Sequence, residues 1–286
     1  MNGFDAGIAN IYSRTRYLPL EDSIQLVSGA VQERDLRKRR VVADVGCGIG
    51  RFLPALATIP NVTSIHAYDV STDMLSKCGS RIDNLVTKIY LHQSDCALPH
   101  ALPSSVFDIV LLHWVLNTTD RWHDLLENCV AAIRPGGLLL SFEEHSTLYD
   151  AIDGRGELMH GQNDFVSLFW NEFYLEFEPS GVSATLEKRV GVSMKSRQPF
   201  SALAEKGLTI ERLVDNKRTW NSNVSLRWVL ESVIIPKAFS NFWQIPDPVF
   251  QRALRRVMRL IARYPIAASC RFPLNYDSTP VVACKL

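Results

Sequence analysis

The sequence predicts an α/β domain with a mostly parallel β-sheet. Short apolar runs rich in β-branched residues alternate with segments of helical periodicity, which is typical of strand-helix-strand units. The first run, residues 41–45, ends at a glycine-rich turn, residues 46–50, that leads into a helix. Glycine lets the backbone approach a ligand closely, and open α/β sheets bind nucleotides at the carboxyl ends of their strands. The turn therefore predicts a site for a nucleotide-like cofactor.

The other elements follow in order along the chain. A helix over residues 22–35 precedes the first strand, because apolar residues recur at helical spacing behind an Asp22-Ser23 cap. Ser71 and Thr72 begin the helix that follows the second strand. The predicted strands after the first are 64–69, a third that ends near residue 93, 107–113, 133–140, 208–214 and 280–286, and further helices cover 119–133 and 199–206.

The spacing of the glycines excludes several nucleotides. The dinucleotide fingerprint G-x-G-x-x-G/A needs Gly or Ala at position 51, but this chain has Arg51, and its third glycine comes one residue early. The chain also lacks the G-x-x-x-x-G-K-[ST] loop that cradles the phosphates of ATP or GTP. NAD, FAD and nucleoside triphosphates are therefore disfavoured.

Several motifs in the expected order resemble the class I S-adenosylmethionine (SAM) dependent methyltransferases. Asp44, Gly46, Gly48 and Gly50 match the acid-hydrophobe-G-x-G-x-G motif, and residues 133–140 resemble the L-R-P-G-G turn into the fifth strand. The resemblance implies that Asp69 accepts hydrogen bonds from the ribose hydroxyls, a role that suits a bidentate, acceptor-only carboxylate. It also implies that Asp95 receives the adenine amino group.

The resemblance carries further expectations about fold and cofactor. It implies a Rossmann-like, seven-stranded, mostly parallel sheet of order 3-2-1-4-5-7-6 with an antiparallel last strand and helical lid insertions. The cofactor is S-adenosyl-L-methionine, and S-adenosyl-L-homocysteine (SAH) is the product. The residues expected to bind the cofactor are Tyr12, Asp44, Gly46, Cys47, Gly48, Arg51, Asp69, Val70, Met74, Asp95, Cys96, His113 and Trp114.

The chain reads as one domain over residues 1–286. An N-terminal helical arm (1–40) precedes a SAM-binding core (41–143), a lid insertion (144–197) and the rest of the sheet (198–286), which contains a helical insertion at 216–276. The lid insertion is dense in aromatic residues, namely Phe165, Phe169, Trp170, Phe173, Tyr174 and Phe177. We expect these to pack the lid down, with direct contact to substrate as the alternative.

Candidate catalytic residues stand at the ends of the fourth and fifth strands. His145 is the first choice for a general base, His113 the second, and Glu143 is an acidic candidate. In an extended chain the side chains of residues 143 and 145 share one face, and Glu144 faces the other. A cofactor-positioning or capping role for each histidine stays open. Tyr12 and Tyr17 of the arm are expected near the methionyl end of the cofactor, and His160 of the lid is a weaker candidate.

The composition of the chain limits the kinds of partner that it is expected to bind. The 31 basic and 30 acidic residues give a net charge of +1, which disfavours nucleic acid. The six cysteines show no zinc-type spacing, so no metal site is predicted. The N-terminal residues lack the apolar core of a signal peptide, and no run reaches the length of a membrane span, so we expect a cytoplasmic enzyme without stable membrane insertion. A homodimer stays open.

The acceptor is the least determined part of the prediction. Two long, aromatic-rich insertions favour a small, partly apolar metabolite in an enclosed pocket. Residues 48–51 and 113–115 faintly resemble the protein α-N-terminal methyltransferases, but Glu143-Glu144-His145 replaces their Asp-Asn pair, which disfavours the terminal amine of a peptide. A peptide carboxylate stays open. The arginines of residues 252–263, on one face of a basic amphipathic helix, leave a prenyl diphosphate open. A noncatalytic SAM-binding partner protein is the alternative from another class.

Overall fold

The computed structural model describes residues 6–15, 18–32, 39–82, 85–146, 148, 164–177, 179–180, 197–238, 242 and 245–285. The strands are β1 (Arg40–Val45), β2 (Val62–Asp69), β3 (Lys88–Gln93), β4 (Phe107–Leu112), β5 (Ile133–Ser146), β6 (Leu208–Arg212), β7 (Arg218–Ser225) and β8 (Arg271–Lys285). The helices are α1 (Ala6–Thr15), α2 (Leu20–Val31), α3 (Leu53–Ala57), α4 (Thr72–Ile82), α5 (Trp122–Ala132), α6 (Asp164–Tyr174), α7 (Arg197–Glu205), α8 (Leu226–Val229, continued by a π-helical turn, Leu230–Ile234), α9 (Asp247–Arg263) and α10 (Pro265–Ser269).

The sheet has the predicted Rossmann-like order. Its strands run β3-β2-β1-β4-β5-β8-β6, β1 to β5 are parallel, and β8 is antiparallel to both of its neighbours. Every residue of β4 is buried because helices cover both faces of the sheet, as expected for parallel strands. The chain order reverses between β1 and β4. The carboxyl ends of these two strands are therefore where such a sheet forms its ligand crevice.

The C-terminal part of the sheet corrects one prediction. Residues 216–276 were expected to be a helical insertion and the last strand to begin at Pro280. Instead β8 begins at Arg271, and β7 pairs with its first half as an eighth strand. Side chains of β7 alternate between exposed and inward-facing, which is the period of a half-buried strand. Pro273 and Pro280, residues that usually argue against a strand interior, concealed the length of β8.

The helices divide into two groups by what they cover. Helices α2 and α3 pack on one face of the sheet, and α5 and α7 on the other. Helices α6, α8 and α9 form a separate apolar body with the first half of β8, which we call the insertion core. Its large members are Phe169, Trp170, Phe173, Phe177, Phe242, Phe250, Val257, Ile261, Leu274 and Tyr276. The aromatic residues predicted in the lid thus pack mainly against each other.

Helix α9 uses part of its arginine face to bind α6 and the turn that follows it. Arg252 Nε donates to Glu176 Oε2 and Arg256 Nε to Glu172 Oε2, each at 2.9 Å. Such half-exposed ion pairs contribute at most about 1 kcal/mol each, so apolar burial in the insertion core holds the two helices together. Among the helices that the structure describes, none is long and apolar enough to cross a membrane.

Candidate active site

The glycine-rich turn after β1 adopts a conformation that requires glycine. Gly46, Gly48 and Gly50 all have positive φ angles, between 53° and 74°. A Cβ atom on Gly46 would overlap the Val115 side chain, so the turn and the segment after β4 approach each other directly. A Cβ on Gly48 would meet nothing within 4 Å, because this residue borders open space. The turn therefore forms one wall of a cavity.

That cavity has a volume of about 320 Å³ and lies at the carboxyl ends of β1, β2 and β4. All the residues predicted to bind the cofactor line it, from Tyr12 of α1 to Trp114 after β4. The sequence analysis missed several other lining residues: Val45, Ile49, Phe52, Tyr68, Ser94, Ala97, Val115, Thr118, Thr119 and Leu125. Seven of these ten lie directly beside a predicted residue in the sequence, whereas Thr118, Thr119 and Leu125 lie further from any of them.

Asp69, at the end of β2, is held in place by the backbone around it. Its Oδ2 accepts a hydrogen bond from Gly48 N at 2.8 Å, and its Oδ1 accepts one from Ser71 N at 2.9 Å. Burial raises the pKa of Asp69, and these backbone N–H groups oppose that rise. The carboxylate keeps further lone pairs for a ligand in the cavity. Asp95 is fixed in a similar way, because its Oδ1 accepts from Ala97 N at 2.9 Å.

Asp44 is the buried acid of the cavity. Burial, together with the nearby charge of Asp69, raises its pKa to about 7, although the charge of Arg51 acts in the opposite direction. Asp44 is therefore poised between its protonated and ionised forms near neutral pH. A cation placed in the cavity would favour the ionised form.

A buried network around Glu144 forms the wall of the cavity near β4 and β5. Arg51 Nη2 donates to Glu144 Oε1 at 2.5 Å, and Trp114 Nε1 donates to Glu144 Oε2 at 3.0 Å. His113 Nε2 lies 3.3 Å from the same Glu144 Oε1. Burial alone would raise the pKa of Glu144, but the charges and hydrogen bonds of Arg51 and His113 hold it well below its ordinary value. Glu144 is thus a permanent anion that ties together three residues of the cavity wall.

The predicted catalytic residues are placed differently from one another. His113 lies in the cavity wall, within the network of Glu144. Among the residues that the structure describes, neither Glu143 nor His145 lines the cavity. Glu143 Oε1 accepts from Arg212 Nε at 2.8 Å, and His145 is exposed beside Asp277 of β8. Tyr17 and His160 lie outside the described residues.

Comparison with known proteins identifies the core. Residues 43–141 match a family model described as a methyltransferase domain. The chain carries a class I SAM-dependent methyltransferase domain. No curated protein matches the chain in sequence.

Solved structures share the fold of this methyltransferase. YcgJ of Bacillus subtilis is 13% identical, with a TM-score of 0.53 over 93% of this chain and 98% of its own. A candidate methyltransferase of Bacillus halodurans C-125, BH2331, is 17% identical, with a TM-score of 0.53 over 93% of this chain and 99% of its own. A more distant match, too low in TM-score to show a shared fold, is the geranyl diphosphate C-methyltransferase of Streptomyces coelicolor A3(2), which is 11% identical, with a TM-score of 0.47 over 96% of this chain and 82% of its own.

The residues of the cavity fit SAM, the cofactor of this methyltransferase domain. SAM carries a positive sulfonium, an ammonium, a carboxylate and a ribose diol. Asp44, Asp69 and Asp95 supply anionic oxygens for the cations and the hydroxyls, and Arg51 supplies N–H donors for a carboxylate. Gly48 has no side chain, so a ligand in the open space beside it would contact the backbone directly.

Proposed function

We propose that this methyltransferase transfers the methyl group of SAM to an oxygen, nitrogen or carbon atom of a small, partly apolar metabolite. The observation that carries the proposal is the position of Trp114. This residue lines the cofactor cavity and also packs against the insertion core, so an apolar aromatic body adjoins the cavity. A cytoplasmic location and a lid formed by residues 144–197 also belong to this proposal.

The proposed reaction depends more on the positioning of the two reactants than on reactive side chains. Bound SAM supplies a methyl group on a positively charged sulfur, which a nucleophile attacks in line. The chain holds both reactants and keeps water out, and effective molarities of about 10⁵ to 10⁸ M indicate how much such positioning contributes. Asp69 and the glycine turn fix one end of the cofactor, while Arg51, held by Glu144, fixes the other.

His113 is the residue we propose to take a proton from a hydroxyl or ammonium acceptor. It lies in the cavity wall, and its Nε2 is 3.3 Å from a carboxylate oxygen of Glu144. Glu144 itself is a poor base because it stays ionised and already accepts hydrogen bonds from Arg51 and Trp114. His145 and Glu143 remain weaker candidates, since the cavity wall does not include them.

The arginine face of α9 gives less support to a prenyl diphosphate than the sequence did. Arg252 already binds Glu176, just after α6, Arg256 binds Glu172 of α6, and neither arginine lines the cavity. Peptide acceptors find no specific support in the described residues. A small metabolite is therefore the acceptor class that we retain.

Calorimetry and a SAH-release assay test the proposal. We expect the purified protein to bind SAM and SAH, and to release SAH when it is screened with small hydroxyl, amine and activated-carbon acceptors that carry an apolar ring or chain. Asp69→Asn should weaken SAH binding at least tenfold, whereas Asp73→Asn, four residues away on α4, should not. Turnover of peptides but of no small acceptor would contradict the proposed substrate class.

A further inference from the structure

Three polar atoms on β7 and β8 are buried, although the side chains of Arg218 and Trp220 that carry two of them are themselves partly exposed. Arg218 Nε, Trp220 Nε1 and Ser278 Oγ are each inaccessible to solvent and make no hydrogen bond. Within the described part of the chain, Arg218 forms no ion pair either. The nearest acid along β8, Asp277, binds Lys217 Nζ through its Oδ2 at 3.3 Å and points to the opposite face of the sheet.

Strand register places these three groups on one face of the sheet, beside Glu144. Ser278 lies opposite Glu144 of β5 on one side and opposite Arg218 of β7 on the other. Two residues further along β7, Trp220 lies opposite Tyr276, and their rings stack with centroids 5.7 Å apart. Residues two apart on a strand share a face. The unpartnered atoms therefore form one patch, which adjoins the network of the cofactor cavity.

Unpartnered buried donors are rare in folded proteins, and their chemistry indicates what is missing. An arginine and an indole N–H can only donate hydrogen bonds, and a serine hydroxyl can also donate. The missing partner is therefore an acceptor, and a half-buried guanidinium favours one that carries negative charge. Carboxylate and phosphate oxygens both meet this description. The Trp220-Tyr276 stack and the insertion core next to it offer an apolar surface for the rest of such a molecule.

We infer that Arg218, Trp220 and Ser278 bind an anionic oxygen group of the methyl acceptor, a carboxylate or a phosphate. This inference rests on the proposed function, since it names the polar end of the same small, partly apolar acceptor. Glu144 lies between the patch and Arg51. It thereby separates the arginine that faces the cofactor from the arginine assigned to the acceptor.

The test titrates two simple anions onto protein saturated with SAH, so that the cofactor site is already filled. Octanoate represents the carboxylate source and pyrophosphate the phosphate source, with sodium chloride at equal ionic strength as the reference. The proteins are the wild type, Arg218→Met and Arg227→Met. Arg227 is an exposed arginine of α8 and serves as the matched control.

We expect one of the two anions to raise the melting temperature of the wild type and of Arg227→Met, and the anion that does so identifies the source. Arg218→Met should weaken that response at least fivefold while SAH affinity stays within twofold. Its melting temperature without anion should stay close to that of the wild type, because Arg218 is partly exposed and its Nε makes no hydrogen bond that the substitution would break. Ser278→Ala, a smaller change, should weaken the response in the same direction and covers the case in which Arg218→Met fails to fold.

The inference is overturned if neither anion acts on the wild type, or if Arg218→Met responds as the wild type does. Failure of the proposed function has a different signature, since the wild type would then bind no SAH or release none with small acceptors. Once an acceptor is known, Arg218→Met should raise its KM at least tenfold with a smaller effect on kcat.

Discussion

Asp44 lines the cavity and Glu144 lies behind its wall, yet their ionisation differs because their partners differ. Both are buried, and burial raises the pKa of each. Glu144 lies beside Arg51 and His113, whose charges and hydrogen bonds hold its pKa low and keep it ionised. Asp44 instead lies beside a second acid, Asp69, and its pKa rises to about 7. The residue type alone therefore does not determine the protonation state of these acids, because the charges of their neighbours do.

The raised pKa of Asp44 predicts that stability falls as pH rises. The folded state holds this proton up to about pH 7, whereas the unfolded chain releases it near 3.8, so Asp44 lowers the free energy of unfolding progressively between these values. The shift corresponds to up to about 4 kcal/mol. Asp44→Asn should flatten much of this slope in urea unfolding between pH 4.5 and 7.5. Asp69, whose pKa is also raised, should leave a residual slope of the same sign. An unchanged slope in the variant would contradict the assignment.

Neighbouring glutamates provide a matched test of the Glu144 network. Glu144→Gln removes the charge that compensates buried Arg51, and breaking such a pair costs about 3 to 5 kcal/mol. Glu143→Gln removes a partner from half-exposed Arg212 and should cost at most about 1 kcal/mol. Chemical denaturation gives both free energies of unfolding, and calorimetry should show weaker SAH binding for Glu144→Gln alone. Equal effects of the two substitutions would remove the special role of Glu144.

At the scale of elements, the turn after β1 was fully predictable because its conformation selects glycine. Gly46→Ala should cost at least about 1 to 2 kcal/mol from its left-handed conformation, and more from overlap with Val115. SAH binding should fall with it. Gly79→Ala is the control, because it lies in α4 with open space around it and should stabilise the protein by about 0.5 to 1 kcal/mol. Melting curves with and without SAH separate the two effects.

The end of β5 marks the limit of prediction at this scale. The period of a strand predicted that Glu144 and its neighbours would face opposite sides, but not which side contacts the residues of the cavity wall. Burial decides this, since Glu144 is 5% exposed while His145 is exposed. Sequence alone favoured His145 by residue type. Local pattern therefore located the site, and long-range packing selected the side chains that reach it.

At the scale of the whole molecule, the two halves of the chain differ in how far local patterns reveal them. Residues 43–141 carry motifs within short stretches, and the predicted order of strands follows from them. The insertion core joins α6, α8, α9 and β8, which are far apart in sequence. Its aromatic residues were visible, but their contacts depend on pairings that no local pattern encodes. The register of β7 with β8, which brings Arg218 beside Ser278, is likewise not encoded by any local sequence pattern.

Strand β8 connects the catalytic sheet to the insertion without a break in the backbone. Its first half pairs with β7 and its second half with β6, while β5 accompanies it along most of its length. One continuous strand therefore belongs to both the catalytic sheet and the insertion. We expect amide hydrogen exchange to protect residues 272–278 and 281–284 to a similar degree, since neither part can open without the other. Rapid exchange confined to residues 272–278 would contradict this. If it holds, the insertion cannot swing as an independent flap, and substrates must enter by rearrangement of shorter segments around a rigid frame.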